Sequence, residues 1–343
     1  MTHDQYLTLK RFDTLDGLRA ISILAVIWHH TSPSWVSGWA AHIGADGVTL
    51  FFAISGFLIT TLLLRERSRK GNIDIKAFYV RRTLRIFPLY YAVLALYVVL
   101  VSLLERNSAA GQAFFANLIY FATYTTNLFV DLDGRVIFYF AWSLAAEEQF
   151  YLLWPAVVIA TRTLPRAAGV LLLVLLASVA GQLLSNPFLS GIPVAIVTGS
   201  LLAVTLHSRS GFERLQPLLG QRWSAMVLAL AALGCLTVIN APPFVVHILL
   251  AALVISSVVQ EAVIGKSLLT FRPMVYLGSI SYGMYMLHML AKNFAVKVLN
   301  AVSLPSDGLL VFAATILLAT IAAGMSFRYF ESYFLRLKHQ HER

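Results

Sequence analysis

Asp16, Arg19 and His30 share one apolar run, LDGLRAISILAVIWHH from Leu15 to His30. An ionisable group at membrane depth is costly unless it is paired or faces a wet cavity, so three on one segment of about spanning length read as part of an active site. Imidazole suits proton transfer and guanidinium suits anion binding. A second set lies in RERSRKGNIDIKAFYVRRTLRIFPLYY. There Arg81 and Arg85 are four apart on a helical repeat with Arg82 beside them, so three planar forks can converge on one polyanion, phosphate above all. The same cluster equally suits lipid headgroups that set orientation.

A third set is FAWSLAAEEQFYLLWP. Trp142 and Ser143 suit an interface and a helix start, with Glu147 and Glu148 about 7 Å deeper at 1.5 Å per residue. Adjacent carboxylates point about 100° apart on a helix and are expected to serve different neighbours, or to complement a helix dipole at a wet interface. The fourth is SISYGMYMLHML, where Tyr285 and His288 stand at i, i+3 and Tyr282 continues their face. A histidine facing a neighbouring helix commonly hydrogen-bonds within the bundle, so orientation is the expected role of His288.

No metal is expected: the nine histidines contain no HxxxH spacing, and the adjacent His29 and His30 point apart on a helix. Neither a GxSxG elbow nor a Gly-rich phosphate loop occurs, so any phosphate would be held by arginine.

These residues need a frame. The chain is 59% hydrophobic and 12% charged, against roughly 25% charged in a soluble domain, which makes it an integral membrane protein. At 343 residues it has room for about ten spans and none for an appended soluble catalytic domain, so one membrane domain over residues 1–343 is expected. The lone Cys235 excludes an internal disulfide and a thiolate metal site. Apolar segments fall near 20–36, 46–64, 86–104, 142–161, 167–184, 188–206, 223–240, 244–261, 274–295 and 308–327. The fold class is therefore all-α, a polytopic bundle of about ten transmembrane helices. Residues 113–130 are interrupted by Asn117, Thr123, Thr125, Thr126 and Asn127 and read as re-entrant or interfacial.

With both termini cytoplasmic, this arrangement puts 22 of the 26 Lys and Arg residues inside, leaving Arg106, Arg135, Lys292 and Lys297 outside. The net charge of +10 is then a topology signal and implies membrane lipids, not nucleic acid, as partners. Lys10, Arg11 and Arg19 before a short apolar core and small residues at 37–40 also resemble a signal peptide. Helix parity and the charge count argue against that reading.

In this order the motifs resemble those of the bacterial acyltransferase 3 membrane proteins. They are LDGLRA with ten residues between Arg19 and His30, GVTLFFAISGFLIT from Gly47, RRTLRIFPLY from Arg81, WSLAAEEQFYLLWP from Trp142, SYGMYMLH from Ser281 and RYFESYFLRL near the end. Thr49 departs from the Asp that many members carry in a GVDxFF string, so no carboxylate role is assigned there. The family spacing selects His30 over His29 as the functional histidine.

The resemblance implies transfer of an acyl group, acetyl in particular, from acyl-coenzyme A to a hydroxyl of an extracytoplasmic acceptor such as a polysaccharide sugar or glycolipid. It implies no bound cofactor, acyl-coenzyme A being a co-substrate, and a multi-pass protein of the bacterial inner membrane. His30 would be the base and Glu147 its orienting partner. Arg19, Arg81, Arg82 and Arg85 would hold or guide the donor, with Asp16, Ser143, Glu148, Tyr282, Tyr285 and His288 in support. His30 lies about 16 Å along the helix from Arg19, toward the outer half. Two other readings stand beside this one: acylation of a small hydroxylated product such as a macrolide, and a secondary transporter using the intramembrane charges.

Overall fold

The computed structural model describes residues 1–9, 11–33, 36, 43–239, 241–259 and 264–340. The small residues at 37–40, and the ends of the apolar segments expected to reach 240 and 261, lie outside this set. Among the described residues the regular structure is helical throughout. The principal helices are α1 (His3–Thr8), α2 (Asp13–Thr31), α3 (Ala45–Lys70), α4 (Ile75–Leu104), α5 (Ala141–Thr161), α6 (Leu164–Leu183) and α7 (Val194–His207). There follow α8 (Arg209–Leu219), α9 (Ser224–Gly234), α10 (Pro243–Val259), α11 (Arg272–Ser279), α12 (Ser281–Ala301), α13 (Gly308–Ser326) and α14 (Ser332–Gln340).

Among the described residues four helices are long and apolar enough to cross a membrane: Ala45–Lys70, Ile75–Leu104, Leu164–Leu183 and Gly308–Leu337, the last running through the π-turn at Phe327–Glu331. A fifth results if the pair Arg209–Leu219 and Ser224–Thr237, bent by 70°, is one span. Other expected segments fall short for visible reasons. α7 and α10 have only 14 and 17 residues. The run expected at 274–295 is split at Ile280 into α11 and α12. α2 starts well before the apolar run and stops at Thr31, because Pro33 disfavours helical geometry at Ser32, which is extended with ψ 137°.

The chain folds as two compact units, each built from two stretches of sequence. The first comprises Met1–Ile73 and Val158–Gly324. Its centre is the packing of α3 on α7, where glycine lets the backbones touch. A Cβ on Gly56 would lie 2.0 Å from the Ile196 carbonyl oxygen, and one on Gly199 2.4 Å from that of Ala53. Without water to expel between apolar helices, close van der Waals approach of this kind is what holds them together. The same device seats the start of α2, where a Cβ on Gly17 would meet the Leu269 carbonyl at 2.2 Å and one on Gly278 the Asp16 carbonyl at 1.8 Å. On the polar end, the Arg65 guanidinium donates to the backbone carbonyls of Tyr6 and Leu9 and lies over the Tyr6 and Phe12 rings. That clasp fixes α1, and burial pushes the Tyr6 phenol up to about 12.

The second unit comprises Asp74–Val157 and Met325–Arg343. Asp74 caps α4 by accepting from the Ala77 N–H at 2.9 Å, so this helix starts eleven residues ahead of its apolar run and carries all three arginines. Residues 109–129 form three short helices, broken at Asn117 and again around Thr123–Thr125, where Tyr124 has φ 53°. The breaks free backbone carbonyls that side chains then satisfy. Tyr90 and Tyr91 hydroxyls donate to Phe121 and Ala122 at 2.7 and 2.9 Å, and the Gln149 amide donates to Tyr124 at 2.9 Å while pairing reciprocally with Asn127. Side chains of α4 and α5, with Asn127 of the segment itself, thus hold it folded against these helices in place of one continuous helix.

Candidate active site

The first unit brings His30 of α2 and His288 of α12 together. Their rings stack with centroids 5.1 Å apart and planes 25° from parallel. His288 is fully buried. Its Nδ1 meets the backbone carbonyl of Tyr285; a carbonyl only accepts, so Nδ1 carries the proton. In the neutral ring this leaves Nε2 as the lone-pair nitrogen, fixing the tautomer beside His30. Tyr285 is buried, tilts against His288 at 5.5 Å and contacts Phe51 edge-on at 6.4 Å. Tyr282 is half-buried one turn earlier on α12.

His29 is not remote from His30 despite the helical turn between their side-chain directions: the rings meet edge to face, centroids 4.9 Å apart. Sequence reasoning passed over two residues here. Lys292, four residues beyond His288, acts electrostatically on both His30 and His288. Its position at i+4 was the available signal, hidden because Lys292 was counted only as an outer charge. Asp46 stands half-buried in the first turn of α3, and His29 acts on it electrostatically. A carboxylate is absent at position 49, but one stands three residues earlier on the same helix face.

Asp16 and Arg19 sit at the other end of α2 and pair with each other at 2.9 Å, while Asp16 also binds Arg11. A carboxylate held between two guanidinium groups at a helix start is a stable local arrangement. It binds Arg19 to a partner on its own helix, away from the histidines.

The second unit holds the remaining candidates. Arg81, Arg82 and Arg85 are half-buried along α4. The Arg82 guanidinium lies over the Tyr151 ring at 5.2 Å and the Phe78 ring at 6.0 Å, and acts on Glu148. Arg85 acts instead on Glu331, which is buried and accepts from the Ser326 hydroxyl at 2.9 Å. Arg82 and Arg85 thus share a helix, and each has a carboxylate acting with it inside the unit, Glu148 and Glu331. Glu147 and Glu148 are both half-buried and act on each other, so the angle between them does not separate them electrically. Ser143 is buried, its hydroxyl donating to the Phe140 carbonyl at 3.3 Å. Among the described residues no group of three or more His, Cys, Asp or Glu could hold a metal ion.

A fully buried, tautomer-fixed imidazole stacked on a second one is suited to proton transfer. Half-buried guanidinium groups on another helix are suited to an anionic ligand. A family model described as an acyltransferase domain, acyltransferase 3, matches residues 12–327. Among curated proteins the chain is similar to the peptidoglycan O-acetyltransferase OatA of Listeria monocytogenes, 26% identical over 94% of this chain and 56% of that protein. It is also similar to the Bacillus subtilis protein named "Putative peptidoglycan O-acetyltransferase YrhL", 29% identical over 80% of this chain and 47% of that protein. The chain thus spans about half the length of these relatives. No solved structure matches. On a match that covers nearly all of its length and every motif above except the RYFESYFLRL run that starts at Arg328, the chain belongs to the acyltransferase 3 family.

Proposed function

We propose that this chain transfers an acetyl group from acetyl-coenzyme A to a hydroxyl of an extracytoplasmic glycan, with peptidoglycan the first acceptor to test. The observation that carries the reading is the His30–His288 stack in a family of acyltransferases. The relatives' names supply the acetyl group and the acceptor class.

His30 takes the acceptor's hydroxyl proton as the oxygen attacks the thioester carbonyl. The ester C–O bond forms, the C–S bond breaks, and the proton passes to the leaving thiolate as coenzyme A thiol. His288, held through its Nδ1–H, keeps the His30 ring plane in place. The role of Glu147 as the carboxylate that orients His30 rests on the family resemblance. Arg81, Arg82 and Arg85 bind the donor's phosphates, for which planar forks are suited. Arg19, paired to Asp16, lines the donor's path.

The reading includes a multi-pass inner-membrane protein of about ten spans with both termini cytoplasmic. In a Cys235→Ser background, a membrane-impermeant thiol reagent on intact cells should label a cysteine at Asp133 and not one at Lys70. The reverse pattern contradicts the topology. For the activity, surface glycans of a deletion strain and its parent are compared by mass spectrometry. Loss of one acetyl mass per modified unit is expected; identical glycans would count against the proposal.

A further inference from the structure

In the second unit α4 and α5 are joined by two contacts one turn apart on α4. The Tyr79 hydroxyl donates to the Leu152 carbonyl at 2.7 Å, and the Arg82 guanidinium lies over the Tyr151 ring at 5.2 Å. Glu148 stands three residues before Tyr151 on α5, on the same helix face, where Cβ atoms are about 5–6 Å apart. That register brings its carboxylate next to the ring that carries the guanidinium, and Arg82 acts on it electrostatically. Glu148 is half-buried, but its Oε1 is closed off from solvent and accepts no hydrogen bond from any described residue.

Polar side chains flanking it on α4 and α5 donate elsewhere. Tyr79 donates to Leu152, Tyr91 to the Ala122 carbonyl at 2.9 Å, and the Gln149 amide to Tyr124 and Asn127. A buried carboxylate oxygen without a donor is costly, and a ligand that brings its own N–H or O–H relieves that cost. The ligand proposed for the neighbouring arginines carries such groups. Between the phosphates of coenzyme A and its thiol runs the pantetheine arm, with amide N–H groups along it. The nearer amide lies a short carbon chain from the phosphate, a span on the scale of one helical turn, about 5.4 Å. We propose that Glu148 is a donor-binding residue, its Oε1 accepting an amide N–H of that arm while the Arg82 fork holds a phosphate.

This inference rests on coenzyme A being the donor, and binding, not turnover, tests it. The full chain in lipid nanodiscs is titrated calorimetrically with coenzyme A and with the bisphosphorylated adenosine that forms its nucleotide end and lacks the arm. Glu148→Met keeps the stem and removes the acceptor. It should raise the Kd for coenzyme A about tenfold, the loss expected of one hydrogen bond to a charged group, and leave the nucleotide Kd no higher. Glu148→Gln, whose amide oxygen still accepts, should keep the Kd for coenzyme A within about threefold of the parental value. Arg82→Lys should weaken both ligands.

A parental Kd for coenzyme A in Glu148→Met, or an equal rise for coenzyme A and the nucleotide, overturns the assignment. The first result removes the contact, and the second reduces Glu148 to support for the helix pair. Retained nucleotide binding doubles as the check on folding, and Glu148→Ala reads the same quantities should Glu148→Met misfold. If the parental chain binds neither ligand, the donor reading falls together with this inference. If it binds both and only the Glu148 variants disobey, the inference alone falls.

Discussion

The candidate histidines of the first unit and the candidate arginines of the second are held in different ways. In the first, imidazoles touch one another through their rings and the central pair comes from helices at opposite ends of the sequence. In the second, guanidinium groups lie along a single helix, with Arg82 over an aromatic face and beside a carboxylate. The first arrangement depends on which nitrogen carries a proton and which way a ring faces. The second depends on charge and on the planar shape of the fork. Substitutions in the two places should therefore fail differently, one in turnover and the other in donor affinity.

The sharpest contrast is at His30. His30→Ala should lower kcat by roughly 10²- to 10⁴-fold, the usual worth of a general base, while the protein still inserts. A smaller loss would remove the distinction between the units. Next is His288. His288→Ala should cut kcat by about tenfold or more, through both the lost stack and the cavity left at a fully buried site. His288→Asn, whose amide can still donate to the Tyr285 carbonyl, should be milder, and equal losses would mean that the hydrogen bond is irrelevant.

In the second unit, Arg82→Lys should raise the donor concentration for half-maximal transfer by up to about tenfold with kcat nearly unchanged. An ammonium group keeps the charge but cannot reproduce the fork. If lysine serves as well at all three arginine positions, the cluster is a lipid anchor. The smallest effect is expected at His29: His29→Ala should keep roughly a tenth of the rate or more. A loss as deep as that of His30→Ala would move the base by one residue.

What could be read in advance follows the same division. The arginines were legible because they lie within five residues on one periodic face. His30 and His288 were each legible as motif residues, but their contact was not, since it depends on how α2 and α12 pack. Asp46 was missed because it lies outside the GVTLFF string, three residues ahead of position 49, and only the glycines at 44 and 47 hint that the start of α3 comes close to α2. Hydropathy located most helices yet misplaced their ends. It saw the apolar part of α4 and not the polar start that Asp74 caps, and it joined α11 to α12 across Ile280. Polar interruptions in residues 113–130 did mark a segment that breaks into short helices, but the Tyr90, Tyr91 and Gln149 side chains that satisfy the breaks come from α4 and α5 and were not legible in the run itself.

The central claim is that this chain itself moves an acyl group. Membranes carrying the protein, membranes lacking it and membranes carrying His30→Ala are supplied with acetyl-coenzyme A labelled in the acetyl group, together with peptidoglycan fragments. The account predicts labelled glycan only from the first. Label that appears equally in all three, or that never leaves the donor in the first, would contradict it.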